Sequence, residues 1–181
     1  MNITAIPEDR LRSEFLVLLG ESEHRKKRYL SSEVEEYLAW LLVRYLKQEW
    51  SQTAVATAYL QVAQYVNTAA EAREFLTIGD TALLRVSLQR PKILRYGLRP
   101  EYFVSIGHDA YFGASVREYS TALRHRDGLL AEELSKSVTV LHDMFTRRFT
   151  DHVHEAVAIL EQTVERSEYL KGYPSEGLVL Q

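Results

Sequence analysis

Ser32-Glu-Val-Glu-Glu-Tyr-Leu-Ala-Trp-Leu-Leu-Val-Arg-Tyr-Leu46 decides the fold class. Val34, Tyr37, Leu38, Leu41, Leu42, Tyr45 and Leu46 recur at steps of three and four, so they share one face of an α-helix. Ser31 and Ser32, ahead of Glu33, Glu35 and Glu36, supply the start, with a capping-box option from Ser32 to Glu35 or Glu36. Trp40 and Val43 fall off that face, as they would on a helix that is central or shared with a partner.

The same periodicity extends outward. A first helix is predicted from about Pro7 to Gly20, carrying Leu11, Phe15, Leu18 and Leu19, followed by a charged connector from Glu21 to Arg28. Another helix is expected from Ser51 or Thr53 to Val66. Thr68 and Glu71 then have capping-box spacing for a helix from Ala69 to about Gln89, which stops before Pro91. Pro100 suits the first position of a helix reaching about Tyr119. From Leu129 to Lys171 there is neither glycine nor proline. Leu130, Leu134, Val138, Leu141 and Phe145 form one stripe; Phe149, Val153, Ala156, Leu160 and Val164 form another. One kinked helix, or two with a cap at Thr150 or Asp151, would satisfy this pattern. No segment combines strand alternation with turn signals. The expectation is an all-α bundle of six or seven helices, with one domain over residues 1–171 and an irregular tail over 172–181.

At 181 residues with 46% hydrophobic and 26% charged content, the chain can bury a core without disulfides or metals. It has no cysteine, which removes thiolate chemistry and suits a reducing cytoplasm. Its N-terminus does not read as a signal peptide, and its apolar runs are too short to span a bilayer, so a cytoplasmic protein without a membrane role is expected. Eleven tyrosines at helical spacing suit a core edge or a subunit interface, and a homodimer is expected.

Within the helical region the chain nearly repeats itself. Phe75-Leu-Thr-Ile-Gly-Asp-Thr-Ala-Leu-Leu84 matches Phe103-Val-Ser-Ile-Gly-His-Asp-Ala-Tyr-Phe112 after a shift of 28 positions. Gly79 with Ala82 and Gly107 with Ala110 are small-x-x-small pairs. Since a helical glycine costs about 1 kcal/mol relative to alanine, two at equivalent places point to two antiparallel helices crossing at their glycines. Asp80 and His108 would then lie near the crossing. A catalytic reading takes Asp80, His108 and Asp109 as a carboxylate–imidazole–carboxylate set for acid–base work. Ser105 and Ser115 offer hydroxyls, but neither sits on a nucleophile elbow, so binding is expected over enzymatic activity.

Ile78-Gly-Asp-Thr-Ala-Leu-Leu84 followed by Tyr102-Phe-Val-Ser-Ile-Gly-His-Asp-Ala-Tyr111 resembles a pattern in uncharacterised bacterial all-helical proteins: Gly-Asp, leucines, a basic turn, then Tyr, Gly and Ala-Tyr. The resemblance covers roughly 40 residues and brings no established activity. It implies that Gly79, Asp80, Gly107, Ala110 and Tyr111 are shared positions. The chain departs from the pattern at His108 and Asp109.

No metal site is expected: Glu21 with His24, and His152 with Glu155, do not complete a ligand set. No cofactor is expected either, since no Walker loop or dinucleotide fingerprint is present. Between Asp80 and Glu101, by contrast, the charged residues are Arg85, Arg90, Lys92, Arg95 and Arg99, all basic. They would bind an anion or an acidic partner, unless they pair with Glu33–Glu36 or Glu132–Glu133. The leading expectation is therefore a helical-bundle interaction protein that engages a macromolecular partner, a protein first and nucleic acid second, through this basic turn.

Overall fold

The computed structural model describes residues 7–47, 58–59 and 69–147. The described residues form seven helices and no strands: α1 Glu8–Lys26, α2 Ser32–Lys47, α3 Ala69–Leu88, α4 Arg90–Arg95, α5 Pro100–Arg117, α6 Thr121–Glu132 and α7 Leu134–Arg147. The all-α bundle is as expected. The described residues up to Phe145 belong to one compact unit. Several expectations lie outside the described residues: the Thr68 cap, most of the helix between Ser51 and Val66, the second stripe from Phe149 to Val164, and the boundary at Lys171.

α2 buries its predicted face: Val34, Leu38 and Leu41 are fully shielded, and Leu42 is nearly so. Val43 is also buried, while Trp40 stands half in solvent with the Arg44 guanidinium 4.6 Å from its ring centre. The backbone carbonyl of Ser31 accepts the first turn's bonds from Val34 and Glu35, so the cap falls one residue earlier than the Ser32 predicted from spacing.

α3 and α5 are antiparallel partners. Phe75 meets Gly113, Gly79 meets Tyr111, and Ala82 meets Gly107, so residue numbers fall on one helix as they rise on the other. The glycines do not cross each other as expected. A Cβ at Gly79 would lie 2.7 Å from the Tyr111 ring carbons, and one at Gly107 would lie 3.0 Å from Leu134 and 3.4 Å from Ala82. Each glycine makes room for a side chain from a neighbouring helix, a large ring at Gly79 and a leucine at Gly107.

Three predicted boundaries are corrected. α1 runs on through the charged stretch to Lys26, because Ser22 and Glu23 face inward there. Glu23 accepts a hydrogen bond from the Leu30 amide (3.1 Å), and burial together with a hydrogen bond shared with Glu35 pushes its carboxyl up to about 7. His24, Arg25 and Lys26 complement the negative helix end. The segment around Arg90 is a short helix, α4, rather than a plain turn. The stripe from Leu130 to Phe145 is shared by two helices that break at Glu133, whose carboxylate accepts from the Ser31 amide (2.8 Å) and so ties this break to the start of α2. α6 starts at Thr121, with the Ser120 hydroxyl accepting from the Leu123 amide.

These environments separate the glycines by expected effect. Gly79→Ala forces its methyl into the Tyr111 ring and should lower unfolding free energy by about 1–2 kcal/mol net of the gain in helix propensity. Gly20 and Gly128 lie in helices with nothing within 4 Å of an added Cβ. Their alanine variants should gain up to about 1 kcal/mol. Urea titration of the three variants measures the contrast; equal effects would contradict the packing assigned to Gly79.

Candidate functional site

Asp80 sits on α3 next to the glycine that admits Tyr111, and it is 1% exposed. An ionised carboxylate at such depth must have donors. The Tyr37 hydroxyl of α2 donates to both oxygens (2.8 and 3.0 Å), and the Tyr111 hydroxyl of α5 donates to Oδ1 (2.9 Å). The Arg44 guanidinium approaches Oδ2 at 3.9 Å. From α6, Arg126 lies 4.9 Å from the centre of the Tyr37 ring and binds Asp127 at 2.6 Å. Four helices therefore converge on one carboxylate.

Burial pushes the Asp80 carboxyl up to about 6; the two tyrosine hydroxyls, Arg44 and Arg126 keep it from rising further. Burial and the adjacent Asp80 charge raise both tyrosines well above their ordinary value, so the hydroxyls stay protonated and act as donors. The arrangement fixes a charge in place. It offers no nucleophile and no hydroxyl poised to lose its proton.

The proposed catalytic set is not assembled. His108 and Asp109 lie on the outer side of α5, their side chains 54% and 53% exposed, and among the described residues they bond to each other at 3.1 Å. Asp80 bonds instead to Tyr37 and Tyr111. Ser115 is buried and donates to the Phe112 carbonyl, while Ser105 is exposed. Of the predicted crossing residues, Gly79, Ala82, Gly107 and Ala110 are all buried at the α3–α5 contact. Among the described residues no group of three or more histidines or carboxylates could hold a metal ion. No described helix is long and apolar enough to cross a membrane. Tyr37 and Arg126 were not singled out from sequence. The available signal was the hydroxyl of Tyr37 on the core-facing stripe of α2, since a buried tyrosine hydroxyl needs a partner.

The basic stretch is a built surface. α4 is anchored by Ile93, which is 5% exposed, and closes on Gly97 at φ 69°, with Gly97 N–H donating to the Leu94 carbonyl and Leu98 N–H to that of Ile93. This paired closure satisfies two of the free carbonyls of the helix end. Pro91 at the start of α4 and the buried Pro100 at the start of α5 fix its two sides. Arg90, Lys92, Arg95 and Arg99 are exposed and make no ion pair among the described residues. The alternative pairings are not realised: Glu36 pairs with Arg12, and Glu133 holds Ser31 and Lys136. Arg85 stands apart, half-buried on α3, where burial lowers its guanidinium below the ordinary value. Leu94 (57%), Tyr96 (69%), Leu98 and Tyr102 are exposed beside the four cations. At the base of the turn a cleft of about 240 Å³ is walled by Val86, Pro100, Val104 and Val138, with Arg90 and Glu101 also lining it. Asp80, His108 and Asp109 do not line it.

Comparison with family models, with curated proteins and with solved structures finds no match.

The Asp80 environment sets a pH dependence. A carboxyl raised from 3.8 to about 6 in the fold contributes stability that is complete below pH 3.8 and lost as pH rises through about 6. Asp80→Asn carries no such term. Relative to that variant, the wild type should lose about 3 kcal/mol of unfolding free energy between pH 3.5 and pH 7. Denaturant melts of both proteins across this range measure it, and parallel pH profiles would contradict the assignment.

Proposed function

We propose that this chain is a helical-bundle binding module that engages an anionic macromolecular surface through the turn from Arg90 to Tyr102. One observation carries the reading: four exposed cations without an ion-pair partner among the described residues stand beside four exposed apolar or aromatic side chains on a turn closed by two backbone hydrogen bonds. Several arginines elsewhere are engaged, Arg12 by Glu36, Arg25 by Asp143, Arg117 by Glu71 and Arg126 by Asp127. Arg28 and Arg73 are also exposed without an ion pair among the described residues, so what sets the turn apart is the grouping of four such cations within ten residues. Like charges held close together repel, and an anionic partner relieves that repulsion. Tyrosine and arginine also dominate the energetics of recognition surfaces, because each combines a large contact area with directed hydrogen bonding.

Binding of this kind weakens with salt, because each contact releases condensed or screening ions. The full chain should bind at least one of three anionic probes: poly-glutamate, a single-stranded RNA oligomer, or vesicles containing phosphatidylserine. Arg90→Glu with Arg95→Glu should weaken that binding at least tenfold, while Arg10→Glu, in the first turn of α1 and outside the proposed surface, leaves it unchanged. Fluorescence titration at two salt concentrations provides the readout. Failure to bind any of the three, or equal loss from Arg10→Glu, would refute the proposal.

A further inference from the structure

Taking the turn as the binding surface, we infer that its anionic partner is a lipid bilayer surface, with Leu94, Tyr96 and Leu98 entering the headgroup–acyl boundary and Arg90, Lys92, Arg95 and Arg99 meeting the anionic headgroups. Positive charge alone fits any polyanion. The apolar residues narrow the choice. Along the turn the side chains alternate: Lys92 exposed, Ile93 buried, then Leu94, Tyr96 and Leu98 all exposed and separated by Arg95 and Gly97. Ile93 and the two closing hydrogen bonds hold the backbone down, so these side chains project from a fixed base.

Two exposed leucines gain nothing from a phosphate or carboxylate row. In water they carry a cost that transfer into hydrocarbon removes. Tyrosine suits the next layer out, with its ring at the apolar boundary and its hydroxyl in the headgroups, and Tyr96 is placed between the leucines in sequence. Arginine and lysine stems lie along apolar surface while their charged ends reach the headgroups. Exposed apolar side chains interspersed with exposed cations along one turn are the combination that peripheral membrane attachment requires: apolar area for depth and cations for the negative leaflet. Every charged residue between Asp80 and Glu101 is basic, and the exposed Glu101 is the one acid within Arg90 to Tyr102, so the four cations remain in excess against that leaflet. A nucleic-acid surface would use the tyrosines and arginines but leave both leucines in water. An acidic protein would need more contact area than this single turn supplies.

The test uses the full chain with vesicles of equimolar phosphatidylcholine and phosphatidylserine, vesicles of phosphatidylcholine alone, poly-glutamate and a single-stranded RNA oligomer. The expected result is co-sedimentation with the mixed vesicles, little with phosphatidylcholine alone, and weaker binding to both soluble polyanions. Arg90→Glu with Arg95→Glu should reduce partition into mixed vesicles by at least about 25-fold, at about fivefold per cation. Leu94→Ser with Leu98→Ser leaves the charge unchanged and should reduce it at least tenfold. Both variants alter exposed side chains, and circular dichroism checks that each retains the helical fold. No binding to mixed vesicles overturns the inference, as does binding that the leucine substitutions leave unchanged. Tighter binding to poly-glutamate or RNA, lost in the arginine variant, also overturns it while leaving the turn as a binding surface.

Discussion

A carboxylate buried at the centre of a helical bundle has to be supplied with donors, and the arrangement of this fold follows from how Asp80 obtains them. Water does not reach it, so its partners come from other helices: the Tyr37 hydroxyl from α2 and the Tyr111 hydroxyl from α5, with Arg44 and Arg126 at longer range. Tyr111 can approach only because its neighbour in the contact is Gly79, where a methyl group would collide with the ring. Gly79 and Asp80 therefore act together, one admitting the ring and the other receiving its hydroxyl. Each unmet hydrogen bond at this depth would cost about 1–3 kcal/mol. The relative rotation of α2, α3 and α5 is thus restricted to what keeps both hydroxyls in reach.

The near-repeat follows from the same packing. Its shared small residues lie where two antiparallel helices press together: Ala82 against Gly107, and Gly79 against the ring of Tyr111. Its unshared positions are sorted by depth. Asp80 points inward and has a fixed set of partners, while His108 and Asp109 point outward and, among the described residues, bond to each other. A surface pair of this kind contributes little to stability. The two copies thus share the residues that close packing demands and differ where the outer face of α5 meets water.

Much of the fold was legible where apolar periodicity was unbroken. The face of α2 from Val34 to Leu46, the end of α3 ahead of Pro91 and the start of α5 at Pro100 follow directly from spacing and proline stereochemistry. The charged stretch from Glu21 reads as a loop because its residues are polar. Its continuation as helix depends on Glu23 being received by the Leu30 amide and by Glu35. Those partners come from the next segment, and local pattern carries no trace of them. The break at Glu133 has the same origin, since its carboxylate is spent on Ser31. For the candidate site, the cations were legible as a charge run, but their lack of ion pairs among the described residues was not, because it depends on where the acids of other helices end up. The partners of Asp80 were hidden for the same reason: the sequence places it near His108, and the three-dimensional packing delivers two tyrosines.

The central claim is that Asp80 is held in a dry site by two tyrosine hydroxyls and so organises the bundle. The most direct measurement is the titration of the Asp80 side-chain carboxyl followed by carbon-13 NMR in the wild type and in Tyr111→Phe. The account predicts a midpoint near 6 in the wild type, moved higher when the Tyr111 donor is lost. A midpoint at an ordinary aspartate value, unchanged by Tyr111→Phe, would contradict it.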